Sequence, residues 1–253
     1  MGGTFLLAQI SDTHVRADDD GAAAAQLKRA LTQAAANGAN AIIMTGDLVN
    51  DEKPEEYAVL VQAIANPPCP LYLMPGNHDH REHFRSAFGA SHRYLPRQGP
   101  LSFVVEDFPV RLVALDATTP GEVHAVFSKE HERWPRKALS KQRRKPTIVA
   151  LHHPPFPTHD RLFDTIGLHN ADRFARVIAD HKQVSRIICG HHHRVVVGQV
   201  AHAPTLVAPS TSWVYGLAVQ NSQPIAPRTD ERPGWMLHAW NTSGGVASHF
   251  MEL

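Results

Sequence analysis

The residues of this chain that could carry out chemistry are histidines, acids and an asparagine placed directly after short apolar runs. The run RIIC at 186–189 is followed by a glycine and three consecutive histidines. The five blocks of this kind are DTH at 12–14, GD at 46–47, GNHD at 76–79, HHPP at 152–155 and GHHH at 190–193. Imidazole, carboxylate and amide groups without a thiolate match borderline divalent ions such as Mn, Fe, Co or Zn.

The number of these groups indicates two metal ions rather than one. Two carboxylates, one amide and several imidazoles exceed the four ligands of a tetrahedral ion. Asp47 stands alone at its strand end, between the other groups, and is therefore placed to bridge two ions. Two ions about 3.5–4 Å apart can hold a phosphate and generate hydroxide at neutral pH. The five blocks contain no Ser or Cys, so water is the expected attacking group.

The elements that must position these groups follow from the hydrophobic pattern. Short apolar runs alternate with longer helical patterns, for example at 22–36 and 171–181, which predicts an α/β fold. The predicted strands that end at the five blocks are 4–10, 41–45, 71–74, 147–151 and 186–189. Sites in open α/β sheets lie outside the carboxyl ends of the strands, so the blocks are expected to converge. The chain shows no repeat or linker, and we predict a single domain over residues 1–253, built as a two-sheet sandwich.

In this order, the five blocks resemble the signature of the calcineurin-like metallophosphoesterases. Longer stretches, GDLVNDEKPEEY at 46–57, DTIGL at 164–168 and APSTS at 208–212, are similar to bacterial class III cyclic-nucleotide phosphodiesterases and glycerophosphodiesterases. The resemblance covers nearly the whole chain. It implies a four-layer α/β/β/α sandwich of two mixed sheets with a dinuclear metal site at the strand ends. It also implies hydrolysis of cyclic-nucleotide or glycerophosphodiester substrates by a metal-bridging hydroxide.

The resemblance assigns roles position by position. The ligands it implies are Asp12, His14 and His193 for the first ion, Asn77, His152 and His191 for the second, and Asp47 for both. His78 resembles the family's non-ligand histidine, which faces the phosphate and the leaving group. Asp79 would orient His78 through a hydrogen bond. The implied cofactors are two divalent ions among Mn, Fe, Zn and Co.

Five other residues near the blocks keep two interpretations each. His153 and His192 alternate with ligands along the chain, so they either support those ligands or pack on the opposite side. The remaining three, which shape the substrate side or simply begin an exposed helix, are His80, Arg81 and His83. Asn50 stands where purple acid phosphatases carry a metal-binding Tyr, so a ferric charge-transfer site is not expected.

Composition limits the partners and the location. Hydrophobic residues make up 43% of the 253 residues, and the net charge of +1 favours neither nucleic acid nor an anionic membrane. Cys69 and Cys189 have no metal-ligand spacing and imply no disulfide framework, which fits a reducing compartment. No run approaches the roughly 20 apolar residues of a membrane span. We therefore predict a cytoplasmic enzyme that acts on a small phosphodiester, and the resemblance implies a homodimer or a larger homo-oligomer.

Two other functions fit the same residues. A phosphomonoesterase or a nuclease could use the same dinuclear site, although a nuclease would need a DNA-contacting extension for which the chain has little room or charge. A non-catalytic scaffold should show replaced ligands, and none is replaced here. A monoester dianion would recruit extra guanidinium groups, and the nearby arginines are Arg81 and Arg194. In the segment 155–170, the residues that form either an apolar wall for a diester or part of the core are Phe156, Phe163 and Leu168.

Overall fold

The computed structural model describes residues 3–219, 227–243 and 245–253, which form two large mixed β-sheets, one two-stranded sheet and six helices. The helices are α1 (Ala22–Ala36), α2 (Pro54–Ala63), α3 (Arg81–Phe88), α4 (Lys129–Ser140), α5 (Arg161–Thr165) and α6 (Ala171–Ala179). The strands are β1 (Phe5–Ile10), β2 (Ala41–Thr45), β3 (Leu71–Met74), β4 (Phe103–Val105), β5 (Arg111–Leu115), β6 (Ala125–Val126), β7 (Thr147–Leu151), β8 (Leu168–His169), β9 (Val184–Cys189), β10 (Val196–Val200), β11 (Ala203–Val207), β12 (Gly234–Asn241) and β13 (Gly245–Glu252).

The strand order brings all five blocks to the ends of neighbouring strands. The first sheet has the order β13-β12-β1-β2-β3 and the second the order β10-β11-β9-β7-β5-β4. In the first sheet β1, β2 and β3 are parallel, and in the second β5, β7, β9 and β11 are parallel. The antiparallel neighbours at the edges make both sheets mixed. The predicted sandwich of two mixed sheets is therefore confirmed.

The two sheets pack on each other through a shared apolar core, and helices cover their outer faces. β2 is buried at every position, which explains why its first four residues, AIIM, are all apolar. Ile42 of β2 belongs to the same buried cluster as Ile148 of β7 and Ile188 of β9. Leu27 of α1 lies in this cluster, whereas Phe174 of α6 packs with the other face of the second sheet. The result is the α/β/β/α layering.

The sequence pattern located the long elements and missed the short ones. Helix α1 ends where the sequence predicted, at Asn37, and the next residue is Gly38 in the left-handed region at φ 72°. The two-residue strands β6 and β8, which pair with each other, and the five-residue helix α5 have no periodicity from which to predict them. Within the described residues, no helix is both long enough and apolar enough to cross a lipid bilayer.

Candidate metal centre

The predicted ligands come together at the carboxyl ends of β1, β2, β3, β7 and β9. Several of them have a backbone in the left-handed region, which non-glycine residues rarely adopt. These residues are Asp12 (φ 52°), His14 (φ 42°), Asp47 (φ 50°), His191 (φ 73°) and His193 (φ 59°). Such strain costs on the order of 1–3 kcal/mol per residue and concentrates at functional sites. The sharp turns at the strand ends thus aim consecutive side chains at one point.

Two groups of ligand atoms meet at Asp47. The first contains Asp12, His14 and His193, with His14 Nε2 3.0 Å from His193 Nε2 and Asp12 Oδ1 3.5 Å from His193 Nε2. The second contains Asp47, His152 and His191, with Asp47 Oδ2 3.2 Å from His152 Nε2. Asp47 Oδ2 also lies 3.8 Å from His14 Nε2. One carboxylate therefore faces both groups.

Buried ligand atoms without hydrogen-bond partners show that the donor set fits metal ions. Asn77 Oδ1 and His191 Nε2 are buried and make no hydrogen bond with any described residue. Such atoms cost free energy unless a ligand satisfies them. His152 Nδ1 donates to Thr45 O at 2.8 Å and His193 Nδ1 to Trp213 O at 3.1 Å. The Nε2 atoms of these two rings are then free to coordinate, the arrangement typical of metal-binding histidines.

The electrostatics of the centre favour cation binding. The pKa of the Asp12 carboxyl is raised to about 7, mainly by burial and with a contribution from the adjacent Asp47 carboxylate, while His152 opposes the shift. Burial also lowers the pKa of His191 and of His193 well below the usual range, which keeps both rings unprotonated. Burial has the same tendency at His152, but contact with Asp47 outweighs it and raises the pKa to about 9. A bound dication would displace the proton that this pair shares.

The block GNHD at 76–79 places His78 at the edge of the centre, and its Asp79 links two loops by hydrogen bonds. His78 N donates to Asp47 Oδ1 at 2.9 Å, and His78 Nδ1 donates to Asn50 O at 2.6 Å. Asp79 accepts hydrogen bonds from Leu48 N, Gly76 N and the Tyr57 hydroxyl. In place of the expected Asp79–His78 hydrogen bond, a backbone carbonyl orients the ring. The Asp79 carboxylate instead holds the loops after β2 and β3 together.

The two histidines of uncertain role lie against the ligands. His153 Nε2 donates to Val123 O at 3.0 Å, and its ring centroid lies 4.4 Å from that of His191. His192 is fully buried and stacks on Phe163 at 4.2 Å. Both rings pack behind the centre. Phe163 is therefore a supporting side chain for the ligand loop, while Phe156 lines a neighbouring cavity of about 270 Å³ together with Phe163 and Leu168.

The start of α3 forms part of a second cleft beside Asn77, with a volume of about 340 Å³. His80 is exposed at the N-cap of α3, and His83 Nδ1 donates to Glu52 O at 2.7 Å. Arg81 forms a bidentate ion pair with the buried Asp116 carboxylate. Its Nε donates to Oδ2 at 2.7 Å and its Nη2 donates to Oδ1 at 2.9 Å. This pair joins the helix after GNHD to the end of β5 in the other sheet.

Replacing Asp116 with Asn is expected to destabilise the fold by about 3 kcal/mol, because it leaves the partly buried Arg81 guanidinium uncompensated. Although burial opposes ionisation, Arg81 lowers the pKa of the Asp116 carboxyl. Urea unfolding measures the effect. The matched control is Asp172→Asn, which breaks the exposed Asp172–Arg176 pair and should change little. Equal effects of the two substitutions would contradict a structural role for the Arg81–Asp116 pair.

An aromatic wall beside the first group of ligands was missed in the sequence. The Trp213 ring lies 4.5 Å from the His14 ring and 4.9 Å from the His193 ring, and the Arg228 guanidinium stacks on Trp213 at 3.9 Å. The preceding block APSTS carries Ser210, whose hydroxyl donates to Asp12 O at 2.7 Å. The similarity of APSTS to known phosphodiesterases could have drawn attention to Trp213, because Trp213 is the next residue in the chain.

Comparisons with known proteins agree with this geometry. Residues 5–195 match the calcineurin-like phosphoesterase family. The chain is 31% identical to the glycerophosphodiester phosphodiesterase of Enterobacter lignolyticus, over 82% of this chain and 77% of that protein. It is 28% identical to the 3',5'-cyclic adenosine monophosphate phosphodiesterase of Pseudomonas aeruginosa, over 82% of this chain and 76% of that protein.

A comparison of structures adds a likeness in fold. The crystal structure of a dimetal phosphatase from Danio rerio superposes with a TM-score of 0.71 over 98% of each chain. The identity between the two chains is 14%, so this likeness bears on the fold alone.

Proposed function

The chain belongs to the calcineurin-like phosphoesterase family, and on that premise we propose that it hydrolyses small phosphodiesters with two divalent metal ions. The single observation that carries the proposal is the position of Asp47. Its carboxylate faces both groups of ligand atoms, which converge on either side of it. The names of two relatives, a glycerophosphodiester phosphodiesterase and a 3',5'-cyclic adenosine monophosphate phosphodiesterase, support glycerophosphodiesters and cyclic nucleotides as candidate substrates.

Each ligand has a proposed place. The first ion would be held by Asp12, His14 and His193, the second by Asn77, His152 and His191, and Asp47 would be shared. Two bound ions would neutralise the phosphate and supply hydroxide at neutral pH. The protein itself fixes the ligand rings through Thr45 O and Trp213 O, so their coordinating nitrogens are oriented in advance.

His78 is proposed as the residue that acts on the leaving group. Its Nδ1 donates to Asn50 O, which leaves Nε2 available to act on a substrate. A protonated ring there can stabilise the developing charge and donate a proton to the departing oxygen. Burial opposes protonation, but the Asp47 carboxylate, the hydrogen bond to Asn50 O and Asp79 together outweigh it, and the pKa of His78 is raised. This direction favours the acid form that the step requires.

The charges around the centre support a diester substrate rather than a monoester. A monoester dianion calls for additional free guanidinium groups. The three arginines that closely follow the blocks in sequence are each paired with a carboxylate, Arg16 with Asp18, Arg81 with Asp116 and Arg194 with Glu231. Arg228, which stacks on Trp213 beside His14, is then the single guanidinium near the centre for which the described residues show no carboxylate partner. A diester carries one negative charge, which two dications and an imidazolium can balance. Phosphodiester hydrolysis is thus the better match.

Steady-state kinetics should show a higher kcat/KM for bis(p-nitrophenyl) phosphate than for p-nitrophenyl phosphate under the same metal. Both substrates release the same phenolate, so the comparison isolates the charge and substitution of the phosphate. A higher value for the monoester would favour a phosphomonoesterase. Activity on neither substrate after metal reconstitution would favour a scaffold that has kept the fold.

A further inference from the structure

A row of polar side chains crosses the first sheet on the face that packs against the second sheet. We call it the polar relay, and its members are Ser248 on β13, His238 on β12, Gln9 on β1, Thr45 on β2 and Ser11 just after β1. The last four are fully buried. Burying polar groups between two apolar sheets costs free energy unless each has a partner. The relay is therefore expected to be a connected network.

Every link in the relay is a short hydrogen bond. Ser248 Oγ lies 2.8 Å from His238 Nδ1, and His238 Nε2 lies 3.0 Å from Gln9 Oε1. Gln9 Nε2 donates to Thr45 Oγ1 at 2.9 Å, and Thr45 Oγ1 donates to Ser11 Oγ at 2.8 Å. The contacts join residues as far apart in the chain as positions 9 and 238.

The direction of these hydrogen bonds is set by one carbonyl. Gln9 Nε2 also donates to Cys189 O at 2.7 Å, and because a carbonyl only accepts, the amide nitrogen must face it. Gln9 Oε1 then faces His238, so His238 Nε2 carries the proton and Nδ1 accepts from Ser248. Burial lowers the pKa of His238 to about 3, which keeps the ring in this neutral form. Thr45 Oγ1 accepts a hydrogen bond from Gln9 Nε2 and donates one to Ser11 Oγ.

The relay ends at two of the loops that carry metal ligands. Ser11 Oγ and Asp12 Oδ2 both border the same point above Gly190, where no side chain would fit. Ser11 directly precedes Asp12 in the chain, and its hydroxyl donates to Thr45 O at 3.5 Å. The second hydrogen bond from the Gln9 amide goes to Cys189 O, and Cys189 immediately precedes Gly190 and the histidines at 191–193. Gln9 is therefore attached to the Asp12 loop and to the 191–193 loop at once.

We infer that Gln9 and Thr45 are positioning residues that hold Asp12 and the 191–193 loop at the separation needed by the first metal ion. Asp12 and His193 come from different sheets, so their separation depends on how the sheets are tied together. The relay supplies such a tie within a few residues of both ligands, and His238 fixes its amide end. The inference rests on the proposed function only in taking these residues as metal ligands.

Thr45→Val tests the inference, because it removes the hydroxyl between Gln9 and Ser11 while keeping a β-branched side chain. Mn²⁺ is titrated into the metal-free protein, and formation of the coupled dinuclear centre is followed by electron paramagnetic resonance. The Mn²⁺ concentration for half-formation should rise about 10- to 100-fold, the effect typical of losing a group that orients a ligand. Thr45→Ser restores the hydroxyl and should return the value to within about twofold of the parent.

The matched control is Thr205→Val on β11. Thr205 is also fully buried in a strand, but its hydroxyl donates to Ala203 O within the same strand. Thermal unfolding of the metal-free proteins compares general damage in the two variants. Thr205→Val should lower the midpoint without changing Mn²⁺ binding.

The outcomes separate the inference from the proposed function. A parent protein that never forms a dinuclear Mn²⁺ centre would overturn the proposed function itself. A parent that forms it, with Thr45→Val binding Mn²⁺ equally well, would overturn the relay alone. The relay also fails if Thr45→Ser binds Mn²⁺ as weakly as Thr45→Val, or if Thr205→Val weakens binding as much.

Discussion

Asp47→Ala is expected to lose both metal ions and to lower kcat/KM for a phosphodiester by at least about 10³-fold. The reason is that Asp47 Oδ2 lies 3.2 Å from His152 Nε2 and 3.8 Å from His14 Nε2, so it faces a proposed ligand of each ion. On the proposed assignment, removing it takes one anionic ligand from both sites. Elemental analysis of the purified variant measures the occupancy.

Two further variants make this result specific. Asn77→Ala removes a ligand from one side of the centre, so it should mainly empty the second site and retain about one ion per chain. Asp51→Ala is the matched control, since this exposed carboxylate lies four residues away and pairs with Lys53. It should retain both ions. One ion at full occupancy in Asp47→Ala would refute the bridging assignment.

His78→Ala is expected to keep both ions and to lower kcat by about 10²–10⁴-fold, the range for losing a positioned general acid. The loss should be larger for substrates with poor leaving groups, because these need a proton most at the departing oxygen. A series of phosphodiesters with leaving groups of increasing pKa measures this dependence. His249→Ala, on the exposed edge strand β13, is the control and should behave like the parent protein.

Metal analysis of His78→Ala distinguishes catalysis from coordination. A ring nitrogen of His78 lies within 4.8 Å of ligand atoms of both His14 and Asp47, a spacing that also suits a ligand. The hydrogen bond from Nδ1 to Asn50 O restricts coordination to Nε2. Loss of one ion in the variant would move His78 into the ligand set. Retention of both ions with an unchanged rate would remove its catalytic role.

Prediction from the sequence succeeded where the information was local. Strand β2 reads as an apolar run because it is buried on both faces, and α1 ends at an asparagine followed by a left-handed glycine. Each block follows its strand directly, so the order of polar groups along the chain already places them at one edge of the sheets. The family resemblance then supplied roles for the individual residues of these blocks.

Contacts between distant parts of the chain were beyond such reasoning. Arg81 could be expected either in the substrate cleft or on an exposed helix, and its pairing with Asp116 followed from neither. The same holds for the ring of Trp213 beside His14 and for the backbone carbonyl of Asn50 that orients His78. Each of these contacts depends on which loops of the two sheets meet.

The sequence by itself therefore determined the composition of the centre, because ligand chemistry and strand periodicity are properties of short segments. The tertiary structure alone decided its geometry: the left-handed turns that aim Asp12 and Asp47, the orientation of the imidazoles, and the relay from His238 through Gln9. The physical reason is that buried polar groups must find hydrogen-bond partners, and the available partners lie on strands that become neighbours only when the sheets pack.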